Sequence, residues 1–451
     1  MDLKFFIHTF GCQMNQYDSE LVSGILETAG FLRADSYQKS DICLVNSCSV
    51  RELAAQKARS ELGLYAMHKR QSKKKIYYGI LGCLAEQEGK NFLKKFPDVD
   101  LVVGPAFERQ LEELIKKVLA GEGPVIKTGT GEGNWEVDGL IKRESRTKAW
   151  ITVSKGCNSF CSYCVVPSVR GREESRPFLD ILKEVEKLVK NGYKEINLLG
   201  QNVNTYGREL KEKTKDIAAL LWEIDALPGE FWVRFWTSHP KDIPDRLVQT
   251  VAECKKICPQ FHLPVQSGSD PVLKVMNRKY TVSQYLEIIE KIRKNIPGAA
   301  VSTDFIVGFP GETEKDFNAS LELYRKVRFD TAYTYKYSPR KGTKAFELED
   351  KVSKGEKEER LKALMSLQKE IGREINNGFI GTIREVMMDS PELTGASGRD
   401  RTNRPFLVEG LKSYKEGEVH RVKVTGATAF SLKGTAETNS KHEIQNSKQN
   451  S

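Results

Sequence analysis

Cys157, Cys161 and Cys164 fall within eight residues, in the run Cys157-Asn158-Ser159-Phe160-Cys161-Ser162-Tyr163-Cys164. The whole chain of 451 residues holds nine cysteines. Three thiolates at C-x3-C-x2-C spacing can reach three irons of one [4Fe-4S] cube. No fourth Cys lies nearby, so one iron keeps an open coordination position, where chemistry can occur. Tyr163, just before the last Cys, sets an aromatic surface beside the group. A structural zinc ion is the other use of such a run. Zinc wants four nitrogen or sulfur ligands, and the next histidine is far off at His239.

A second set, Cys12, Cys48 and Cys83, is scattered in sequence. Each follows a predicted strand: Phe10-Gly11-Cys12, Asn46-Ser47-Cys48 and Leu81-Gly82-Cys83. In a parallel sheet the strand C-termini share one edge, where open α/β folds bind ligands. Neighbouring strands lie roughly 5 Å apart. Three thiolates there could hold one cluster between them, or be three buried core cysteines, a common fate of free Cys. Gly11 and Gly82 let the backbone turn tightly beside a bulky cofactor. The helix N-termini that follow would stabilise thiolate charge. Cys43 sits inside its strand and reads as core. Cys254 and Cys258 lie i,i+4 on a predicted helix and share a face. Two thiolates make a poor site, so packing is the reading.

Strand–helix alternation over the first 120 residues predicts a parallel α/β sheet. The strands are Lys4 to Phe10, Asp41 to Asn46, Lys75 to Leu81 and Leu101 to Val103. Asp18 is expected to cap a helix ending at Gly30, and Ser49 with Glu52 to form a capping box. The Gly-rich, charged stretch Gly121 to Arg146 reads as a linker. Six further strands are expected: Trp150 to Ser154, Glu195 to Leu199, Trp232 to Thr237, Phe261 to Val265, Val301 to Val307 and Ala332 to Tyr337. Helices near 178–190, 217–226, 243–256, 282–294 and 314–327 separate them. Six βα units suggest a barrel or partial barrel, with chemistry at the strand C-termini. A polar helix near 354–375 leads to short strands between Gly378 and Ala436, the pattern of a small β-barrel. The Asn/Ser/Lys/Gln-rich tail reads as disordered.

Lys and Arg number 71 against 61 Asp and Glu, an excess that fits a nucleic-acid partner. No run approaches the roughly 18 apolar residues of a membrane span, and the N-terminus carries no signal-peptide core. A cytosolic protein with reduced, metal-ready thiols is expected.

The C-x3-C-x2-C run resembles the signature of radical S-adenosylmethionine (SAM) enzymes. The two cysteine sets together resemble the radical-SAM methylthiotransferases, from Thr9 to about Thr435. Several stretches look like the MiaB branch, which thiomethylates tRNA. They are Thr9-Phe10-Gly11-Cys12-Gln13-Met14-Asn15, Leu198-Leu199-Gly200-Gln201-Asn202-Val203-Asn204, Thr237-Ser238-His239-Pro240, His262-Leu263-Pro264-Val265-Gln266-Ser267-Gly268-Ser269 and Asp304-Phe305-Ile306-Val307-Gly308-Phe309-Pro310-Gly311-Glu312-Thr313. One departure is visible: Ser168-Val169 stands where the branch usually has Tyr-Thr before Arg170-Gly171.

The resemblance implies an N-terminal cluster domain (1–120), a linker (121–146), a radical-SAM barrel (147–376), a TRAM RNA-binding domain (377–437) and a tail (438–451). It implies two [4Fe-4S] clusters and two SAM molecules per turnover. Cys157, Cys161 and Cys164 would hold the cluster whose open iron chelates SAM. Cys12, Cys48 and Cys83 would hold the cluster that carries sulfur. Tyr163, Gly200, Gln201, Ser238 and Gln266 would line the SAM and adenosine pocket. The implied product is a methylthio group on C2 of N6-isopentenyladenosine at position 37, in the anticodon loop of tRNA. An electron donor and a sulfur or cluster donor are needed; a monomer is expected. The rivals are the same chemistry on threonylcarbamoyl-adenosine in tRNA or on a ribosomal-protein aspartate, and a non-catalytic Fe–S redox sensor that binds RNA.

The stretch Gly398-Arg399-Asp400-Arg401-Thr402-Asn403-Arg404 reads as a turn bearing three arginines, suited to phosphate and base stacking. Bland readings accompany several motifs. Thr313 and Asp270 would be helix caps, and His239 and His262 hydrogen-bonded structural histidines.

Overall fold

The computed structural model describes residues 3–129, 131, 135, 139–210, 214–411 and 413–437. The tail expected to be disordered, 438–451, lies outside the described residues.

The first unit is a six-stranded parallel sheet in the order β2-β1-β3-β4-β5-β6. The strands are β1 (Lys4–Phe10), β2 (Leu32–Arg33), β3 (Ile42–Ser47), β4 (Tyr77–Leu81), β5 (Leu101–Val103) and β6 (Val125–Lys127). β3 is buried at every residue, as a central strand covered on both faces must be. Cys43 is one of those residues and faces the core, as its position inside the strand implies. β6 extends the sheet into the stretch read as a linker: Val125 pairs with Leu101 across it. Further on, Leu140 and Ile141 pack on Leu21 and Ile25, so apolar side chains tie that stretch down.

Two capping expectations are corrected. The first helix runs from Gln13 to Thr28 with Cys12 at its N-cap, six residues before Asp18. Asp18 is instead buried mid-helix, where it meets a guanidinium. The second helix, Glu52–Gln71, starts after Arg51 without a side-chain cap. Arg340 binds Glu52 from another part of the fold, which removes it from the expected box.

The second unit contributes β7 (Lys148–Thr152), a small hairpin of β8 (Ser154–Lys155) and β9 (Glu174–Ser175), then β10 (Glu195–Leu199), β11 (Trp232–Phe235), β12 (Gln260–His262), β13 (Ala300–Val307) and β14 (Thr331–Lys336). β11-β10-β7 and β12-β13-β14 form two parallel three-stranded sheets. Their inner edges join: Val233 bridges Ile257, and the Ser238 amide donates to His262 O at 3.1 Å. The result is an open six-strand arc in the order β7-β10-β11-β12-β13-β14, a partial (β/α)6 barrel. Helices Phe178–Lys190, Ile217–Ala226, Asp245–Glu253, Val282–Asn295 and Glu314–Val327 cover its outside, each burying an apolar stripe in one shared core.

The helix carrying Asp245 ends at Glu253, so Cys254 and Cys258 do not share a helix face. Both are buried packing residues all the same. Thr313 caps its helix with a full capping box to Asp316. Ser269, not Asp270, caps the helix at Asp270–Val275. Asp270 Oδ1 accepts instead from the Val282 amide at 2.7 Å.

The long helix Lys354–Asn377 leads to a closed barrel of β15 (Ile383–Glu392), β16 (Gly395–Asp400), β17 (Pro405–Glu409), β18 (Val419–Ala427) and β19 (Leu432–Ala436). Its interior is a separate small core including Val386, Met388, Phe406, Val408, Val422 and Val424. Among the described residues no helix is long and apolar enough to cross a membrane.

The N-terminal unit spans both free edges of the arc. On the β7 side, Met14 and Tyr17 pack with Trp150, Leu199 and Trp236. Arg143 lies 3.6 Å from Glu20 there, both nearly buried. On the β14 side, Arg340 binds Glu52 and the Val50 carbonyl. The first sheet thus closes the opening that six strands leave in a barrel.

Candidate metal centres and the barrel rim

Cys157, Cys161 and Cys164 sit on the loop after β8. Asn277 Nδ2 donates to Phe160 O at 2.8 Å, and the Ser162 amide donates to Met276 O at 3.0 Å. Phe160 has φ 45°, a left-handed conformation that turns the chain between the first two cysteines. Burial raises the Cys157 thiol, and pushes Cys164 up to about 12 with help from the neighbouring Cys161 charge. The Cys157 thiol feels Cys161, and Cys164 feels both other cysteines of the run. Neighbouring sulfurs at least half withdrawn from water do not carry three charges among themselves unless cations join them. Arg278 contributes one positive charge, donating from Nη1 to Cys161 Sγ at 3.4 Å. Tyr163 packs edge-on against Phe309, ring centroids 6.3 Å apart.

Gly156 precedes this loop at φ 73°, and a Cβ there would stand 2.0 Å from the Arg172 carbonyl. Left-handed backbone alone costs an L-residue about 1–2 kcal/mol. Gly156→Ala is expected to lower the unfolding temperature and to cut iron uptake by this loop. Calorimetry and iron assay of the reconstituted variant check both.

Cys12, Cys48 and Cys83 lie at the C-terminal edge of β1, β3 and β4, as the strand pattern predicts. The Cys48 amide donates to Phe10 O at 2.9 Å, and Gly82 N to Val103 O at 3.0 Å, holding the three turns in register. Beneath them Asn15 Nδ2 donates to Asn46 Oδ1, and Asn46 Nδ2 donates to Asn15 O and Ser19 Oγ. Gly82 has φ 84°, and a Cβ there would stand 2.3 Å from Asn46 Oδ1. The Cys48 thiol donates to Cys12, which lowers Cys12 to about 6 and raises Cys48. Burial pushes Cys83 up to about 11, and its charge acts on Cys48. These three sulfurs are also one group.

Among the described residues no three Cys, His, Asp or Glu side chains converge on a point as a single ion demands. Thiolates on separate corners of an iron–sulfur cube need no such convergence.

The rim expected from sequence lies around the first loop. Gly200 follows β10, and a Cβ on it would meet Ser154 Oγ at 2.5 Å. Gln201 Oε1, Ser238 Oγ, Gln266 Oε1, Ser154 Oγ and Ser162 Oγ are all buried without a hydrogen-bond partner. Buried polar atoms are rarely left so, and five at one rim fit a polar ligand such as SAM. Gln266 also holds φ 74°, a strained conformation for a side-chain-bearing residue. His239 is lowered to about 2, chiefly by burial and then by Arg278, so its imidazole stays neutral. Its Nδ1 accepts from the Lys241 amide at 3.3 Å, a structural bond. His262 faces the arc's interior, with Nδ1 2.9 Å from Ser302 Oγ and Nε2 3.4 Å from Asp304. Tyr333 stands edge-on to it, and Tyr335 lies beyond on the same strand face. Sequence reading missed Asp304, Tyr333 and Tyr335 as interior residues. Strand alternation from His262 and Ser302 was the available signal.

The three-arginine turn is corrected. β16 takes Gly398 to Asp400 into a strand, leaving a tight turn at 401–403. Arg401 donates to Lys255 O and to Ile257 O. Arg404 pairs with Asp330 and donates to Asn376 Oδ1. Both arginines are spent on docking the small barrel against the arc, because their neighbours offer buried acceptors. Arg399 remains at the surface, 3.5 Å from Asp389.

Residues 151–324 match the Radical SAM superfamily, and residues 4–104 match Uncharacterized protein family UPF0004. The chain is similar to tRNA-2-methylthio-N(6)-dimethylallyladenosine synthase of Pelotomaculum thermopropionicum, 44% identical over 96% of this chain and 97% of that one. The same enzyme of Carboxydothermus hydrogenoformans is 42% identical over 96% and 98%. Among solved structures, the radical SAM methyltransferase TsrM from Kitasatospora setae matches with TM-score 0.56 at 15% identity, covering 77% of this chain and 74% of that one. That likeness concerns the fold. With near-complete coverage at such identity, the chain belongs to the tRNA-2-methylthio-N(6)-dimethylallyladenosine synthase family of radical-SAM enzymes.

Proposed function

We propose that this enzyme adds a methylthio group to C2 of N6-isopentenyladenosine at position 37 of tRNA. Cys157, Cys161 and Cys164 hold the [4Fe-4S] cluster at which SAM binds. Cys12, Cys48 and Cys83 hold a second cluster. One observation carries the reading: two groups of three mutually interacting thiols, on two domains that share one covered opening. When bound, the first cluster with SAM supplies a radical able to take hydrogen from an inert carbon, and the second supplies sulfur. The chain's own residues orient and exclude. Gln201, Ser238 and Gln266 offer their unpartnered oxygens to SAM, and Tyr163 lines its pocket with Gly200. The N-terminal sheet closes the arc and keeps water and oxygen out. Asp304 and His262, with Tyr333 and Tyr335, offer a polar edge and ring faces to a base drawn out of its stack.

The C-terminal barrel acts as the RNA-binding unit. Arg421, Lys423 and Lys433 point outward from the paired strands β18 and β19, and Phe430 is exposed at their hairpin. Cations beside an exposed ring suit a single-stranded loop. Lys423→Glu is expected to weaken tRNA binding and to reduce the salt slope by about 1, without changing SAM cleavage. Filter binding across a salt series checks it.

The deciding test is anaerobic reconstitution of the full chain. About eight irons per chain, the sum of two four-iron clusters, are expected. Incubation with SAM, a reductant and isopentenylated tRNA should then yield the 2-methylthio nucleoside by mass. Eight irons with unmodified tRNA would move the substrate elsewhere; four irons would remove the second cluster.

A further inference from the structure

Six residues past Cys164, the chain carries Arg170 out of the barrel and against the N-terminal sheet. Its Nε donates to Cys83 Sγ at 3.0 Å and its Nη2 to Asp18 Oδ2 at 2.6 Å. The side chains of Arg170 and Asp18 are 5% and 4% exposed. Val165 and Val169, on the short turn leading into Arg170, pack on Cys83. Asp18 belongs to the helix that starts directly after Cys12. One short segment therefore links the loop of the first cysteine set to the second.

Burying a guanidinium costs several kcal/mol, and only good pairing offsets it. Arginine–carboxylate pairs are frequently bidentate, with two parallel nitrogens on the carboxylate. Arg170 instead gives one nitrogen to Asp18 and one to a sulfur. Hydrogen bonds to cluster sulfurs and nearby charge set the reduction potential of an iron–sulfur group.

We propose that Arg170, oriented by Asp18, is a positioning residue for the second cluster. Its bond to the Cys83 sulfur fixes that cluster against the SAM loop and raises its reduction potential. The proposal rests on Cys12, Cys48 and Cys83 holding a cluster. The Ser168-Val169 departure leaves Arg170 in place, so the contact is intact in this chain.

The test uses the full-length chain with Cys157, Cys161 and Cys164 all changed to Ala, so that only the second cluster reports. Its iron content and electrochemical midpoint are measured with and without further substitutions. With Arg170→Gln, the reduced-to-oxidised ratio at the parent midpoint should fall about tenfold, ~59 mV for one electron. Arg170→Lys should recover part of that loss. Asp18→Asn removes a negative charge and should move the midpoint in the opposite direction. Opposite shifts from opposite charges are not produced by loosened packing. A midpoint within about twofold of the parent ratio in both Arg170→Gln and Asp18→Asn, at full iron, would overturn the proposal. So would shifts of the same sign. If Arg170→Gln does not fold, Arg170→Lys and Asp18→Asn decide by the same criteria. A parent lacking iron would instead strike at the second cluster itself, and the proposal would fall with it.

Discussion

Cys12→Ala is expected to leave SAM cleavage running and to stop methylthio formation, and Cys161→Ala to stop both. The two thiols lie in different units and face different neighbours. Cys161 shares its loop with Cys157 and Cys164 and takes a hydrogen bond from Arg278. On the proposed assignment, removing it leaves two thiols where three irons need anchoring. Cys12 accepts from the Cys48 thiol and sits at the N-cap of the first helix, outside that loop. On the proposed assignment its loss costs the N-terminal cluster a ligand and leaves all three thiols of the SAM loop in place. Tight binding of tRNA should survive in both variants, because the outward cations of β18 and β19 belong to the closed barrel, which has its own core and holds neither set. The measurements are deoxyadenosine release, nucleoside mass and tRNA binding on each reconstituted variant. Product from Cys12→Ala at the parent level would make the N-terminal cysteines structural. Cleavage by Cys161→Ala would sink the assignment of the first loop. Cys254→Ala serves as control, since Cys254 packs in the main core and touches neither set.

Much of this was legible because it is local. C-x3-C-x2-C is a spacing, and the strand before each of Cys12, Cys48 and Cys83 is a run of apolar residues ended by a turn residue. β1, β5 and β10 have the bounds the pattern predicts. The errors arose where a distant partner outcompeted a local one. Asp18 had the chemistry of an N-cap, but Arg170 takes it. Glu52 had the spacing of a capping box, but Arg340 takes it. Val125–Lys127 looks like linker by composition and is a strand only because β5 offers an unpaired edge. The arginine turn failed for the same reason. Gly398 to Arg404 reads as a basic turn suited to phosphate and base stacking, and nothing in those residues announces that Asp330, Asn376 and the Lys255 carbonyl await them. Orphaned rim oxygens, by contrast, are invisible in sequence and were found at the places a barrel architecture assigns to chemistry.

That docking carries the other large effect expected. Arg234 is fully buried at the base of the arc. Its Nε donates to Glu195 Oε2 at 3.0 Å, and its Nη1 to Gln260 Oε1 at 2.8 Å. The same guanidinium donates to the carbonyls of Arg401 at 2.9 Å and Asp400 at 2.8 Å, both on the small barrel. Arg234→Met therefore strands a buried carboxylate and two carbonyls at once. Breaking one partner of a buried pair costs about 3–5 kcal/mol. Burial works against the ionised Glu195, but Arg234 and then Lys148 hold it below the usual carboxylate range. A depressed carboxylate stabilises the fold above its unfolded value, and that contribution fades as pH falls through the folded one. The variant should thus lose most stability near neutral pH and differ less from the parent in acid. Adding Glu195→Leu should recover part of the loss by removing the stranded charge, though the two carbonyls stay unpaired. Denaturant unfolding at neutral and acid pH, read by the fluorescence of Trp232 beside Arg234 and Arg401, gives the result. A loss below about 1 kcal/mol at neutral pH would mean that the small barrel is held by its remaining contacts and that Arg234 is not its anchor. With the loss as expected, tRNA modification should fall further than SAM cleavage, since the RNA-binding face would no longer be fixed relative to the arc.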